Sequence, residues 1–374
     1  MKRMLFEYDL KGHRLEYIHH IYMEMLNHMD DEFVIVVPKD FENKRELYSW
    51  PHSPNISFRI IDDSIIKDHL GLLSNAAHYS KALRKYALEE KVDSVFLISL
   101  MAFIPALVFF IPSRIRVSGI IYRIYLYEWK ITTRLNRVKN VLKYLCIRYA
   151  PCLKTVFILN DSSAVSKLNH LYHTDKFKYL TDPFNVIDYH PKSIREELGA
   201  RKGDMVFLHF GGLDQRKGTL EILKAIQILS SDILAKSVFV FAGKIYDSIF
   251  NDFNVLISSE PSNARIKVYN GYCSNEFIFN LCYSCDYILI PYHNSSQSSG
   301  LLGYSAFFMK PVIGPSDGLI GKLIRKNHLG IRLENAKYET IARSISCAKY
   351  QEIRSNYINK ISIPEFSELI FRNW

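Results

Sequence analysis

The stretch Met205-Val-Phe-Leu-His-Phe210-Gly-Gly-Leu-Asp-Gln-Arg-Lys-Gly218-Thr-Leu-Glu-Ile-Leu-Lys-Ala-Ile226 decides the fold. Its first six residues are mostly apolar and suit a buried strand. Its last eight place Leu220, Leu223 and Ile226 at helical spacing. A strand, a glycine loop and a helix in succession form the unit of a doubly wound sheet, whose ligands sit beyond the carboxyl ends of the strands. Gly211 and Gly212 leave the backbone bare, so that a ligand can approach closely. Arg216 and Lys217 stand at the start of the following helix, where free N–H groups and the helix dipole already favour anions. The combination suits a diphosphate. A tight turn carrying two solvated cations is the other reading of the same residues.

The alternation continues on both sides. Downstream, strands are expected at Ser237–Ala242, Arg265–Tyr269, Tyr287–Ile290 and Pro311–Ile313. Helices are expected at Ser274–Tyr283, Leu301–Met309, Leu319–Lys326, Tyr338–Lys349 and Pro364–Trp374. Upstream, strands at Met4–Tyr8, Glu32–Val37, Ile56–Ile61, Val95–Ile98, Val117–Ile121 and Thr155–Leu159 are separated by helices at Arg14–Asn27, His69–Glu89 and Ser162–Tyr172. Strands alternating with helices indicate parallel βαβ units. The stretch Leu180–Pro191, with two prolines and several turn formers, interrupts them as a linker would. The expected organisation is therefore two α/β domains of doubly wound, Rossmann-like type, 1–188 and 189–374, facing a central cleft. The 364–374 helix closes the chain and is placed to pack back on the first domain.

A second polar cluster follows the Tyr287–Ile290 strand. In Pro291-Tyr-His-Asn-Ser-Ser-Gln-Ser-Ser-Gly300, hydroxyls and a glycine crowd a strand-to-helix turn. Ser298, Ser299 and Gly300 stand where backbone N–H groups would meet a phosphate, or simply where a helix is capped.

Composition narrows the class. The 374 residues are 48% hydrophobic and 23% charged, which excludes a disordered chain. The 6 Cys are too sparse for a disulfide scaffold, and the one CxxC, Cys282 to Cys285, lacks the second ligand pair of a zinc site. The first residues show no signal-peptide pattern, because Glu7 interrupts the apolar run. Val95–Ile111 is shorter than a spanning helix and reads as a strand followed by a buried helix near Pro105. A reduced, cytoplasmic protein is expected.

The formal charge of +10 is concentrated. Between residues 112 and 154 there are ten basic residues against one acid, Glu128, a net +9. The same segment carries an apolar helical stripe at Ile131, Leu135, Val138, Leu142, Leu145 and Tyr149, with Tyr122, Tyr125, Tyr127 and Trp129 upstream. A basic amphipathic helix with an aromatic edge rests on anionic membrane surfaces. An ordinary surface helix with a solvated basic face satisfies the same pattern. Nucleic-acid binding has only the charge in its favour, without a motif.

Taken together, the Gly211–Gly218 and Pro291–Gly314 motifs resemble those of the family 4 glycosyltransferases, which have the GT-B fold. Gly211-Gly-Leu-Asp-Gln-Arg-Lys-Gly218 aligns without gaps with the family's Gly-Arg-Leu, three variable residues and Lys-Gly. Val268–Tyr272 and Ser284–Pro291 resemble two further blocks, and Met4–Glu16 resembles the family's opening strand and Gly-His loop. The resemblance covers Met205–Ile331 best.

It implies a transferase moving a sugar from a nucleoside-diphosphate donor to a glycan or lipid-linked glycan hydroxyl in surface polysaccharide synthesis, with retention and without a metal or other cofactor. Lys217 would clamp the diphosphate, with Arg216 compensating for the family arginine that Gly212 replaces. Gly12, Gly211, Lys244, Tyr272, Asn294, Gln297, Ser298, Ser299 and Gly300 complete the expected donor set, and His13 and Arg123 the substrate-facing groups of the first domain. No Asp-x-Asp triplet occurs, and His19, His20 and His293 lack metal-ligand spacing. The family's paired glutamates would fall at Ser296 and Tyr304, and neither is acidic. Their loss motivates a rival, a degenerate GT-B domain that binds without turnover.

Overall fold

The computed structural model describes residues 1–62, 71–129 and 132–374. The chain forms two compact units, Met1–Asp182 with Ser362–Trp374, and Pro183–Ile361. Unit 1 holds β1 (Lys2–Phe6), β2 (Glu32–Val37), β3 (Ile56–Ile60), β4 (Ser94–Leu97), β5 (Arg116–Ile121), β6 (Leu153–Leu159) and β7 (Phe177–Leu180) in the order β3-β2-β1-β4-β5-β6-β7. Unit 2 holds β8 (Met205–Phe210), β9 (Ser237–Gly243), β10 (Arg265–Asn270), β11 (Tyr287–Leu289), β12 (Val312–Pro315) and β13 (Gly330–Leu333) in the order β10-β9-β8-β11-β12-β13.

Every pairing is parallel, with Leu5 beside Ile35 and Phe96 in unit 1 and Leu208 beside Val240 and Ile288 in unit 2. Parallel strands are covered on both faces and so read as continuous apolar runs. Val34–Val37, Val95–Ile98 and Val238–Ala242 are all buried.

The division falls at Asp182/Pro183 rather than after residue 188. Phe184 is the reason. Its ring packs on Tyr304 at 4.8 Å and Phe307 at 5.8 Å, and its N–H donates to Ile361 O at 2.8 Å, all within unit 2. The short edge strands β7 and β13 are additions to the sequence-based expectation, as is a helix at Asp247–Ser258. The apolar run from Val95 breaks into β4, a turn at Leu100–Ala102 and a helix of four residues at Leu107–Phe110. Among the described residues, no helix is long and apolar enough to cross a membrane.

The Ile363–Asn373 helix belongs to unit 1. Ser362 caps it, accepting from Glu365 N, and Pro364 occupies its first turn. Phe366, Ile370, Phe371 and Trp374 join the core formed by Leu5, Ile18, Ile21 and Phe33. Polar ties reinforce the seat. Ser367 Oγ donates to His20 O at 3.2 Å, and Thr155 Oγ1 donates to Asn373 O at 3.0 Å. Phe366 is fully buried, and emptying such a site costs about 3–5 kcal/mol. Phe366→Ala should therefore lower the unfolding free energy of the full chain by that amount, read as an earlier urea midpoint for the unit 1 transition.

Candidate functional site

In a doubly wound sheet the ligand crevice opens where strand order reverses. In unit 2 that point lies between β8 and β11. The loop after β8 begins with Gly211 at φ +93°, and a Cβ there would lie 2.7 Å from Lys217 Nζ. The Lys217 ammonium thus sits over a bare stretch of main chain. Asp214 Oδ1 accepts from Lys217 N at 2.8 Å and caps the Gln215–Lys217 turn. Gly218 then turns at φ +73°, where a Cβ would collide with the Pro291 carbonyl. That contact seats the first loop against the second.

The loop after β11 supplies Tyr292. Arg216 and Lys217 lie over its ring, at 5.5 Å and 5.8 Å from the centroid. His293 N donates to Arg216 O at 2.9 Å, and His293 Nε2 stands 3.2 Å from Glu221 Oε2. The two sequence motifs therefore meet, through Tyr292, His293 and Glu221, three residues the sequence reading did not select. Lys244 lies over the Tyr246 ring, which in turn covers Gly212. Tyr272 follows β10, the edge strand, with its side chain in solvent.

Beneath this surface lies His209, fully buried at the end of β8. Burial pushes its imidazole down to about 4, so it is neutral at pH 7. Nδ1 donates to Leu289 O at 2.8 Å, which leaves Nε2 to accept from the Thr219 hydroxyl at 3.0 Å. That hydroxyl also lies 3.0 Å from Asp214 O. One ring thus joins β8, β11 and the helix that begins at Thr219. A histidine inside an otherwise apolar strand is the signal that marks it in the sequence.

The Pro291–Gly300 loop is held by its own polar groups. Asn294 Oδ1 accepts from Ser296 N at 3.0 Å and from Ser296 Oγ at 2.7 Å, and Ser295 Oγ donates to Asp317 Oδ1 at 3.1 Å. Ser299 is buried, with Oγ 3.5 Å from Tyr292 OH, while Gln297 points to solvent and Ser298 is half-buried. Gly300 precedes a helix of seven residues, Leu301–Phe307. Tyr304 occupies the position of an expected glutamate and is half-buried, with ring contacts to Phe184, Phe210 and Phe279 at 4.8, 5.2 and 5.8 Å. Cys282 and Cys285 are buried thiols, and burial pushes Cys285 up to about 12. Among the described residues, no cluster of His, Cys, Asp and Glu is arranged to hold a metal.

In unit 1 the reversal lies between β1 and β4. Gly12, at φ +69°, and His13 follow β1. His13 Nδ1 pairs with Glu16 Oε2 at 3.1 Å. Burial acts against ionisation of Glu16, but the hydrogen bond with His13 and the His20 imidazole 3.7 Å away hold it down at about 2. Arg123, after β5, forms an ion pair with Glu128, its Nε donating at 2.9 Å. That pairing sets its direction, and more than half of the side chain stays exposed.

The group missed from sequence here is Glu7, an acid at the end of a buried strand. It is fully buried, and Oε1 accepts from Tyr8 N at 3.0 Å and Asp9 N at 3.1 Å. Arg14 stands 4.0 Å away. Burial pushes this carboxyl up to about 7, outweighing Arg14 and the Ser99 hydroxyl beside it.

The whole chain superposes on solved GT-B structures. Anabaena HepE in complex with UDP and glucose matches with a TM-score of 0.69 at 14% identity, covering 100% of this chain and 98% of that one. WaaG, a glycosyltransferase of lipopolysaccharide biosynthesis, matches with a TM-score of 0.64 at 14% identity, over 92% and 90% of the two chains. The UDP-GlcNAc 2-epimerase of Neisseria meningitidis, bound to UDP-GlcNAc, matches with a TM-score of 0.62 at 14% identity, over 100% and 99%. No protein-family model and no curated protein matches the sequence. The fold is GT-B.

The two buried titrating groups set opposite pH dependences. His209 has a folded value near 4 against an ordinary 6.5, so below pH 6.5 the unfolded chain binds the extra proton. Its stabilisation is complete above pH 6.5 and is lost as pH falls toward 4. Glu7 has a folded value near 7 against 4.5, so its stabilisation is complete below pH 4.5 and is lost as pH rises through 7. Each shift corresponds to about 3 kcal/mol. Amide exchange, corrected for intrinsic rate, should show β8 losing protection on acidification from pH 6.5 to 4. It should show β1 losing protection on raising pH from 4.5 to 7. His209→Gln and Glu7→Gln should each abolish the dependence in its own strand only.

Proposed function

We propose that this protein is a glycosyltransferase of the family 4 type. It would move a sugar from a nucleoside-diphosphate donor to a hydroxyl of a glycan or lipid-linked glycan acceptor. The observation that carries the reading is the Lys217 ammonium held over the bare Gly211 backbone and beside Arg216 on the Tyr292 ring, at the reversal point of the unit 2 sheet. Two cations beside a stretch of main chain without side chains suit the diphosphate of a departing nucleotide. The solved HepE with UDP-glucose supports a UDP-sugar as the first donor to try.

In this mechanism the bond between the anomeric carbon and the diphosphate oxygen breaks first. Lys217 and Arg216 stabilise the charge that develops on that oxygen, and the acceptor hydroxyl then attacks from the same face while passing its proton to the departing diphosphate oxygen, giving retention. Preorganised cations do this without a metal. His209 and Asp214 act as positioning residues, since they set the loop that presents Lys217. The acceptor is read as a component of surface polysaccharide synthesis. It would be met by a cytoplasmic protein peripheral to the inner, anionic membrane face.

A second reading draws on Tyr304, an aromatic ring where the family places a glutamate. In it the nucleotide binds without sugar transfer. Melting curves with UDP, GDP, dTDP, CMP and ADP, followed by donor hydrolysis and transfer assays, separate the two. One nucleotide at about 100 times its dissociation constant should stabilise the wild type by about 2.7 kcal/mol, and Lys217→Ala should lose that shift. Lys217→Ala should also lower kcat/KM for donor hydrolysis about 100- to 1000-fold. A nucleotide shift with neither hydrolysis nor transfer selects the binding-only reading, and no shift with any nucleotide rejects both.

A further inference from the structure

The Arg134–Tyr149 helix, capped by Thr133, presents its apolar stripe outward. Leu135, Val138, Leu142 and Tyr149 are 64%, 55%, 55% and 74% exposed. Contiguous apolar side chains so exposed mark an interaction surface. Ile131, the first member of the expected stripe, lies outside the described residues.

The stripe runs into a groove of about 710 Å³, within the range of small-ligand sites. Val141 and Leu145 of this helix, Leu126 and Trp129 before it, and Leu171 and Tyr172 of the Ser162–Tyr172 helix supply apolar walls. Arg148 and Lys167 add two cations to its lining. The far end of the helix is pinned, since Lys176 Nζ donates to Ile147 O, Arg148 O and Ala150 O at 3.0, 3.0 and 2.7 Å.

The geometry points to a lipid site: the groove holds the hydrocarbon chain of an anionic lipid, Arg148 and Lys167 meet its phosphate, and the Leu135–Leu142 stripe dips beneath the surrounding headgroups. This deepens the membrane-side reading of the acceptor and rests on it, not on the donor site.

Charge chooses the occupant. The helix carries Arg134, Arg137, Lys139, Lys143 and Arg148 and no acid. A second copy docked through the same face would bring like charges together. A nucleic acid would use the cations and leave Leu135, Val138 and Leu142 in water. An anionic bilayer satisfies both halves of the surface, because long basic side chains reach its headgroups while the apolar stripe enters beneath them.

The test uses the full chain at 0.1 M salt with vesicles of phosphatidylcholine alone or with 30% phosphatidylglycerol, some carrying bromine on the acyl chains. Wild type should co-sediment with the anionic vesicles, and brominated chains should quench its fluorescence, an effect lost in Trp129→Phe. Leu135→Gln combined with Leu142→Gln should weaken binding about ten-fold or more. Arg148→Gln should weaken it about five-fold. Leu171→Glu, an exposed position on the groove wall, should abolish the quenching and weaken binding about ten-fold while leaving the circular dichroism spectrum and the nucleotide melting shift unchanged.

Leu171→Glu that binds and is quenched like wild type overturns the groove and leaves the membrane-surface reading standing. Absence of wild-type binding to anionic vesicles overturns both, whatever the nucleotide shift shows. Dimerisation lost in the Leu135/Leu142 variant without vesicle binding, or equally tight binding to duplex DNA untouched by that variant, also overturns the proposal.

Discussion

His209 donates from Nδ1 to the Leu289 carbonyl across the one place in the unit 2 sheet where the strand order turns back on itself. Neighbouring crossovers diverge there, which is where doubly wound sheets take their ligands. The ring bridges β8 and β11, and its other nitrogen reaches Thr219, the first residue of the next helix. The Asp214 cap, the Lys217 turn and the seating of Gly218 against Pro291 are all downstream of that bridge. The bridge needs a neutral ring with one donor and one acceptor, and complete burial supplies it.

The two units solve the same problem differently. In unit 2 the reversal point is lined with cations above an uncharged support. In unit 1 a buried carboxylic acid, Glu7, sits at the equivalent position, accepts the N–H groups of Tyr8 and Asp9, and faces Arg14. The first arrangement favours an anionic ligand. The second orders the loop that carries Gly12 and His13. The chemistry the geometry suggests for unit 2 therefore does not transfer to unit 1 by symmetry of fold.

The fold was legible where the signal is local. The Met205–Ile226 strand, loop and helix lie in one continuous stretch with the periods of both elements. Edge strands β7 and β13 were not, because Lys178 and Arg332 interrupt their four-residue runs, whereas β4 and β11, which are no longer, carry no charge. The Asp247–Ser258 helix buries only Ile249 and Phe253, too few positions to stand out as a stripe. At the site, Lys217 above Gly211 is a contact within one loop, and the sequence implied it. Tyr292 under the two cations, Glu221 beside His293 and Arg123 locked on Glu128 depend on which loops the sheet brings together or on a choice of rotamer. The basic helix exposes a deeper limit. A stripe of Leu and Val reads the same whether it will face a protein core or a bilayer, since both are hydrocarbon.

The Ile363–Asn373 helix has a consequence for synthesis. Unit 2 lies wholly within the part of the chain that precedes it, whereas the core of unit 1 waits for Phe366, Ile370, Phe371 and Trp374. On the ribosome the unit that begins first is completed last. Until those side chains emerge, the nascent unit 1 carries an open apolar trough. Chaperone dependence of this protein should therefore be concentrated in its first half, in the interval before the final helix is released.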